Sequence, residues 1–162
     1  MRGLPISKNQ YERCKKYFLS KAAAYEKGIL EGTRFSSTCE RDKIDRHYRD
    51  LAQGQWIWNE DKAIQPVIWI FRNLVFPDGE KIGKPFQLEG WQIWDTMEIF
   101  GWYGKDGHRR YRDVYYEVPR KNGKSSFAAS ILNYLAFSES EAMGLPCYIA
   151  ATSLEQAVEC FE

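Results

Sequence analysis

Gly123, Lys124 and Ser125 follow one another between a β-favouring stretch and an apolar one, and they are the chain's clearest chemical signal. The phosphate-loop pattern G-x-x-x-x-G-K-[ST] points successive backbone N–H groups at a phosphate, where a helix N-terminus also favours negative charge. Its second glycine lets the backbone come close. Its lysine brings a mobile positive charge to the β- and γ-phosphates, and its hydroxyl supplies an oxygen to Mg²⁺. The stretch Val118-Pro119-Arg120-Lys121-Asn122-Gly123-Lys124-Ser125 matches the second half of the pattern. Val118 stands where the first glycine belongs, so the strict form fails. That glycine eases a turn, and another residue can replace it where the turn geometry differs. Arg120 has two readings: a guanidinium that stabilises charge at the γ-phosphate, or an exposed arginine that contacts nothing.

Such a loop must be positioned by a strand before it and a helix after it. Arg112 to Val118 reads as the strand, with Val114, Tyr115, Tyr116 and Val118 as β-favouring residues. Pro119 stops it. Ser125 to Phe137 reads as a buried helix, since Phe127, Ala128, Ile131, Leu132, Tyr134 and Leu135 leave little polar face. Cys147 to Ala151 reads as a second short strand, and a further helix starts at Leu154. Together these predict a βαβ unit, the building block of a parallel sheet.

Upstream, Ser7 caps a predicted helix over 8–30, with Gly32 beyond its end. A second, strongly charged helix is expected from about Thr38 to Ala52, on the surface. Pro66 to Phe71 is an apolar run that fits helix or strand. Pro77-Asp78-Gly79 signals a turn. A helix from about Glu89 to Phe100 ends at Gly101, and 104–107 is a turn.

The chain has 162 residues, 44% hydrophobic and 28% charged, which suits a folded domain with a real core. Its formal charge of +1 says nothing about partners. Locally, residues 105–124 hold seven cations (Lys105, Arg109, Arg110, Arg112, Arg120, Lys121, Lys124) against Asp106, Asp113 and Glu117. That stretch would draw a polyanion, or it is a solvated loop face. Cys14, Cys39, Cys147 and Cys160 form no C-x-x-C pair and read as reduced, isolated thiols of a cytosolic protein. No signal peptide and no membrane-length apolar run is visible.

The order of motifs resembles the N-terminal part of phage terminase large subunits. Pro119 to Ser125 resembles that family's divergent phosphate loop. Pro85-Phe86-Gln87-Leu88-Glu89-Gly90-Trp91-Gln92 resembles its P-F-x-L-x-x-W-Q motif. Ile99-Phe100-Gly101-Trp102, Arg109-Arg110-Tyr111-Arg112, Ala150-Ala151-Thr152 and Gln156-Ala157 follow in family order, and Gly28-Ile29-Leu30, Cys39-Glu40-Arg41 and Asp50-Leu51 resemble its helical arm. The resemblance spans essentially the whole chain. It implies an α/β fold: a parallel-sheet P-loop ATPase domain of the additional-strand class from 56 to 162, incomplete, after a helical arm over 1–55. It implies ATP and Mg²⁺ as cofactors. Nucleotide would be held by Gln92, Arg120, Lys121, Asn122, Gly123, Lys124, Ser125 and Ser126, with Lys124 and Arg120 catalytic and Ser125 on the metal. Partners would be double-stranded DNA, a portal protein, a small terminase subunit and further copies in a ring, in the cytoplasm of a bacterial host.

Gln92 resembles the family's adenine-reading glutamine, since an amide can pair with adenine's Hoogsteen edge. Its other reading is a polar residue on the wet side of an aromatic helix. Trp91 and Trp94 fit a base stack or, more simply, core. Gln156 and Glu155 also complete capping boxes with Ser153 and Thr152, the preferred role for both. No acidic pair follows Ala151, and no nuclease domain is present. Asp42, Asp45 and Asp50 read as solvated. The chain is therefore expected to be a truncated motor domain, slow or inactive in hydrolysis alone, with an unpaired sheet edge and marginal stability. The alternative is a non-catalytic module that binds DNA or a partner and keeps a relic phosphate loop.

Overall fold

The computed structural model describes residues 7–77, 79–138, 148, 150 and 158. Among them the order is α1 (Lys8–Leu30), α2 (Thr38–Gln53), β1 (Ile57–Trp58), α3 (Glu60–Asn73), a 3₁₀ turn at Gly79–Lys81, α4 (Gly90–Gly101), β2 (Trp102–Tyr103) and α5 (Lys124–Ser138). The strands form one antiparallel pair, Ile57 opposite Tyr103 and Trp58 opposite Trp102.

The expected parallel sheet of a P-loop fold is therefore overturned: the described residues are mostly helical, with that antiparallel pair as their one sheet. The reason lies in what a strand needs. Residues 113–119 are in no strand, and Val114 and Tyr115 are exposed. A β-favouring run states a capacity to pair, and a ladder needs a neighbour. The neighbour expected over Cys147 to Ala151 lies largely outside the described residues, and Tyr148 and Ala150 are in no strand. Of the helix expected from Leu154, the described residue is Val158, which is helical; Ser153, Glu155 and Gln156 lie outside the described residues.

The chain divides into two compact units. One holds α1, α2, β1, α3 as far as Ile68, and Leu88–Tyr115; the other holds Trp69–Gln87 and the chain from Tyr116. In the first, α1 packs on α4. Ser7 caps α1 with a full capping box, and Gly32 beyond it has φ 68°. Phe18, Ala22, Tyr25 and Ile29 recur at helical spacing and turn the α1 stripe inward. Ile93, Trp94, Met97 and Phe100 answer from α4, and Ala63, Ile64 and Val67 from α3. The run around Pro66, open between helix and strand in the sequence, is helical.

Two glycines permit the packing of α4. A Cβ on Gly90 would sit 3.2 Å from the Lys21 carbonyl oxygen and 3.3 Å from Tyr25 Cβ. One on Gly101 would sit 2.4 Å from the Trp58 ring and 2.8 Å from Ala63 Cβ. The Asn59 N–H donates to the Gly101 carbonyl at 2.8 Å, so β1 is pinned against the end of α4.

Charged groups hold α2 in this unit. Helix α2 has capping residues at both ends, Ser37 and the left-handed Gly54. Its inner side is polar. Lys43 pairs with Asp95 of α4, and His47 Nδ1 lies 2.5 Å from Glu98 Oε1. Asp50 accepts from Arg110 at 2.6 Å. Asp50 is buried, which corrects the solvated reading; Asp42 and Asp45 are exposed as expected. The Gly104–Gly107 turn folds Arg110 back, with its N–H donating to the Trp102 carbonyl at 2.9 Å, so the guanidinium reaches Asp50. No helix among the described residues is long and apolar enough to cross a membrane.

Gly101→Ala should lose about 1–3 kcal/mol of unfolding free energy, the usual cost of forcing volume into a packed site. Equilibrium urea unfolding of the variant beside the parent reads it directly. Tyr48 gives a second test. Its hydroxyl donates to Glu26, and that bond, with burial and the Glu26 charge, pushes its pKa up to about 12. The stabilisation is full below the ordinary phenol range near 10 and is lost as pH rises through about 12. Burial also holds the Tyr11, Tyr25 and Tyr111 phenols up, so absorbance titration should show several late-ionising phenols, one fewer in Tyr48→Phe.

Candidate functional site

The phosphate-loop residues lie in the second unit, at the head of α5. Two aromatic contacts within that unit set the helix. The Phe127 ring lies 5.4 Å from that of Tyr116, and the Tyr134 ring meets Trp69 edge-on at 5.7 Å. Phe127, Ser130 and Tyr134 are the buried residues of α5. Ala128 and Phe137 are exposed and Ile131, Leu132 and Leu135 half-buried, so the helix is less enclosed than its apolar sequence suggests.

The loop before it is tight. Asn122 Nδ2 donates to the Pro119 carbonyl at 3.2 Å, closing 119–122 into a turn. Lys121 has φ 66° and Gly123 φ 68°. Glycine adopts that region freely, but for lysine it costs roughly 1–2 kcal/mol. The Phe127 N–H donates to the Gly123 carbonyl at 2.9 Å, the first bond of the helix. Helix geometry leaves the N–H groups ahead of it without an intrahelical acceptor.

Arg120, Lys121, Asn122, Gly123, Lys124, Ser125 and Ser126 are all exposed and contiguous at this end. The first turn of α5 contains no acidic residue. That charge placement is unusual. A helix N-terminus carries about half a positive charge and is ordinarily flanked by Asp or Glu. Here three cations crowd it. The repulsion is relieved by water, or by an anion that meets the cations and the N–H groups together.

Gln92 belongs to the first unit, on α4. It is buried, and its Oε1 accepts from the Glu89 N–H at 2.9 Å, completing a capping box with Glu89. The Gln92 carbonyl accepts from Thr96 Oγ1 at 2.7 Å. Trp94 is core: its Nε1 donates to Glu26 Oε2 at 3.3 Å, and the Lys43 ammonium lies 5.1 Å over its ring. Trp91 is half-buried.

Among the described residues, no group of three or more His, Cys, Asp or Glu could hold a metal ion. The basic stretch 105–124 is split by function. Arg110 is committed to Asp50 and lies over the Trp56 ring at 4.9 Å, and Arg109 lies over Phe100 at 5.2 Å. Lys105, Arg112, Arg120, Lys121 and Lys124 are exposed. What sequence reading missed is the set of buried ion pairs. The spacing of Lys43, His47 and Asp50 on one helical face could have signalled it.

Compared with known protein families, curated proteins and solved structures, the chain matches none.

The Gln92 amide carries a structural load whatever else it does. Gln92→Ala should cost about 0.5–2 kcal/mol, the usual loss on removing a helix-capping side chain. Thermal unfolding followed by circular dichroism measures it; an unchanged midpoint would show that the cap contributes nothing.

Proposed function

We propose that the loop from Arg120 to Ser126 binds the phosphates of ATP, and that the chain is the nucleotide-binding part of a viral DNA-packaging ATPase resembling terminase large subunits. One observation carries the reading. Arg120, Lys121 and Lys124 crowd the positive end of α5, exposed and without an acid in the first turn, around a loop that turns left-handed at Lys121 and Gly123. A triphosphate supplies the anion that this arrangement wants.

In this reading Lys124 meets the β- and γ-phosphates, and Arg120 stabilises charge as the γ-phosphoryl leaves. Ser125 would offer its hydroxyl oxygen to Mg²⁺, which would neutralise charge on the phosphates. Backbone N–H groups of Asn122, Gly123 and Ser126 complete the cradle, and Gln92, engaged in its cap on α4, has no part in this proposal. The reaction is attack of water on the γ-phosphorus, with ADP as leaving group; catalysis is positioning and electrostatics. Double-stranded DNA, a portal protein, a small subunit and a ring of copies in the bacterial cytoplasm are the partners and setting of such a motor. The proposal concerns the loop and its chemistry and implies no parallel sheet.

The exposed cations Lys105, Arg112, Lys121 and Lys124 favour a second reading, a module that binds DNA or a partner without hydrolysis. Salt and nucleotide separate the two. Phosphate contacts to DNA weaken steeply with salt and ignore ATP.

Titration calorimetry with Mg·ATP is the direct test. The parent chain should bind, and Lys124→Ala should bind too weakly to detect while unfolding at the parent temperature. Equal affinity in parent and variant removes Lys124 from the site. Binding by neither, with salt-sensitive DNA binding by both, replaces the ATPase reading with the second one.

A further inference from the structure

The attachment of α2 differs in kind from that of its neighbours. The buried residues of α1 are Phe18, Ala22, Tyr25 and Ile29, and α4 buries Ile93, Trp94, Met97 and Phe100. The buried residues of α2 are Ile44 and Asp50. What holds it is polar. Glu40 accepts from the Tyr25 hydroxyl at 2.9 Å and Tyr48 donates to Glu26, both on α1. Lys43 and His47 meet Asp95 and Glu98 on α4, and Asp50 meets Arg110. Positions 40, 43, 47 and 50 fall on one face.

Each of these groups is re-solvated when its pair separates, so opening costs the burial of Ile44 and the cover that α2 gives the aromatic rings beneath it. Two features tax the closed state further. Arg46 Nε and the Tyr111 hydroxyl are buried with no hydrogen-bond partner among the described residues, with the Arg46 guanidinium 5.5 Å over the Tyr111 ring. Gly54, at φ 62°, ends α2, and Gly32, at φ 68°, lies just past α1 in the connection that leads to α2; at both the chain can change direction without a Cβ clash. Beneath α2 lie tryptophans. The His47 ring is 4.8 Å from Trp58 and 5.3 Å from Trp102, and Lys43 covers Trp94.

We propose that α2 is a releasable clasp: residues 38–53 open as one unit while α1 and α4 stay packed, uncovering the rings of Trp58, Trp94 and Trp102. Segments that open first are those with few buried apolar contacts. Because opening brings partly buried charges out into solvent, where salt stabilises them once separated, opening rises with salt.

Amide hydrogen exchange of the whole chain, read by mass spectrometry at constant pH over a series of KCl concentrations, tests this. The α2 amides should share one exchange rate, roughly tenfold faster than the protected amides of α1 and α4. KCl should raise that rate and leave α1 and α4 unchanged. Asp95→Asn should raise it several-fold at low salt and blunt the salt response. Exchange of α2 in step with α4 overturns the proposal, as does a salt-independent α2 rate or a gradient running inward from the helix ends. The parent salt series decides alone if the variant does not fold.

Discussion

The Glu98 carboxylate is the joint on which the first unit turns. It is buried on α4, and its two oxygens face different elements. Oε1 meets His47 Nδ1 of α2, and Oε2 accepts from the Trp102 indole N–H of β2 at 3.2 Å. A carboxylate away from water is strongly destabilising unless every lone pair is engaged. That demand fixes where α2 and β2 lie. With Trp102 held, the hairpin that follows brings Arg110 to Asp50, and Trp58 opposite Trp102 closes the aromatic cluster around His47. Apolar burial between α1 and α4 supplies most of the driving force, being roughly proportional to area and indifferent to direction. The charged groups supply the direction.

Much of this was legible in the chain. Ser7 as a cap, Gly32 past the end of α1 and the α4 boundary at Gly101 follow from local chemistry, and local chemistry decided them. The caps of α2, Ser37 and Gly54, are equally local. What failed was long-range. The run Val114 to Val118 has the composition of a strand, yet a strand exists only with a neighbour, and composition names none. The same limit explains Asp50. One acid on a charged helix looks like any other, and only the fold says that Arg110, 60 residues away, comes to meet it.

The exposed basic loop over 119–126 was legible as a spacing and as a charge placement, because both are local. Gly123 as a left-handed position is a backbone preference that the residue type announces. Lys121 in the same region is not announced at all, and nothing in its side chain favours it. Gln92 shows the converse. Its position on α4 fits two roles, and Glu89 three residues before it makes the cap, a pairing that the chemistry of an amide acceptor and a backbone donor already allowed.

The two glycines that bracket α4 have a consequence for how such a chain can vary. Gly90 abuts the α1 backbone and Gly101 abuts the Trp58 ring, so the helix fits its berth at both ends. A single residue inserted between them would rotate everything beyond it by about 100°. Asp95 and Glu98 would then face away from Lys43 and His47, and a side chain would enter one of the two gaps. The segment around Phe35, in open solvent, can absorb added length, while α4 cannot. Length in this unit is thus free in an exposed connection and fixed by packing from Gly90 to Gly101.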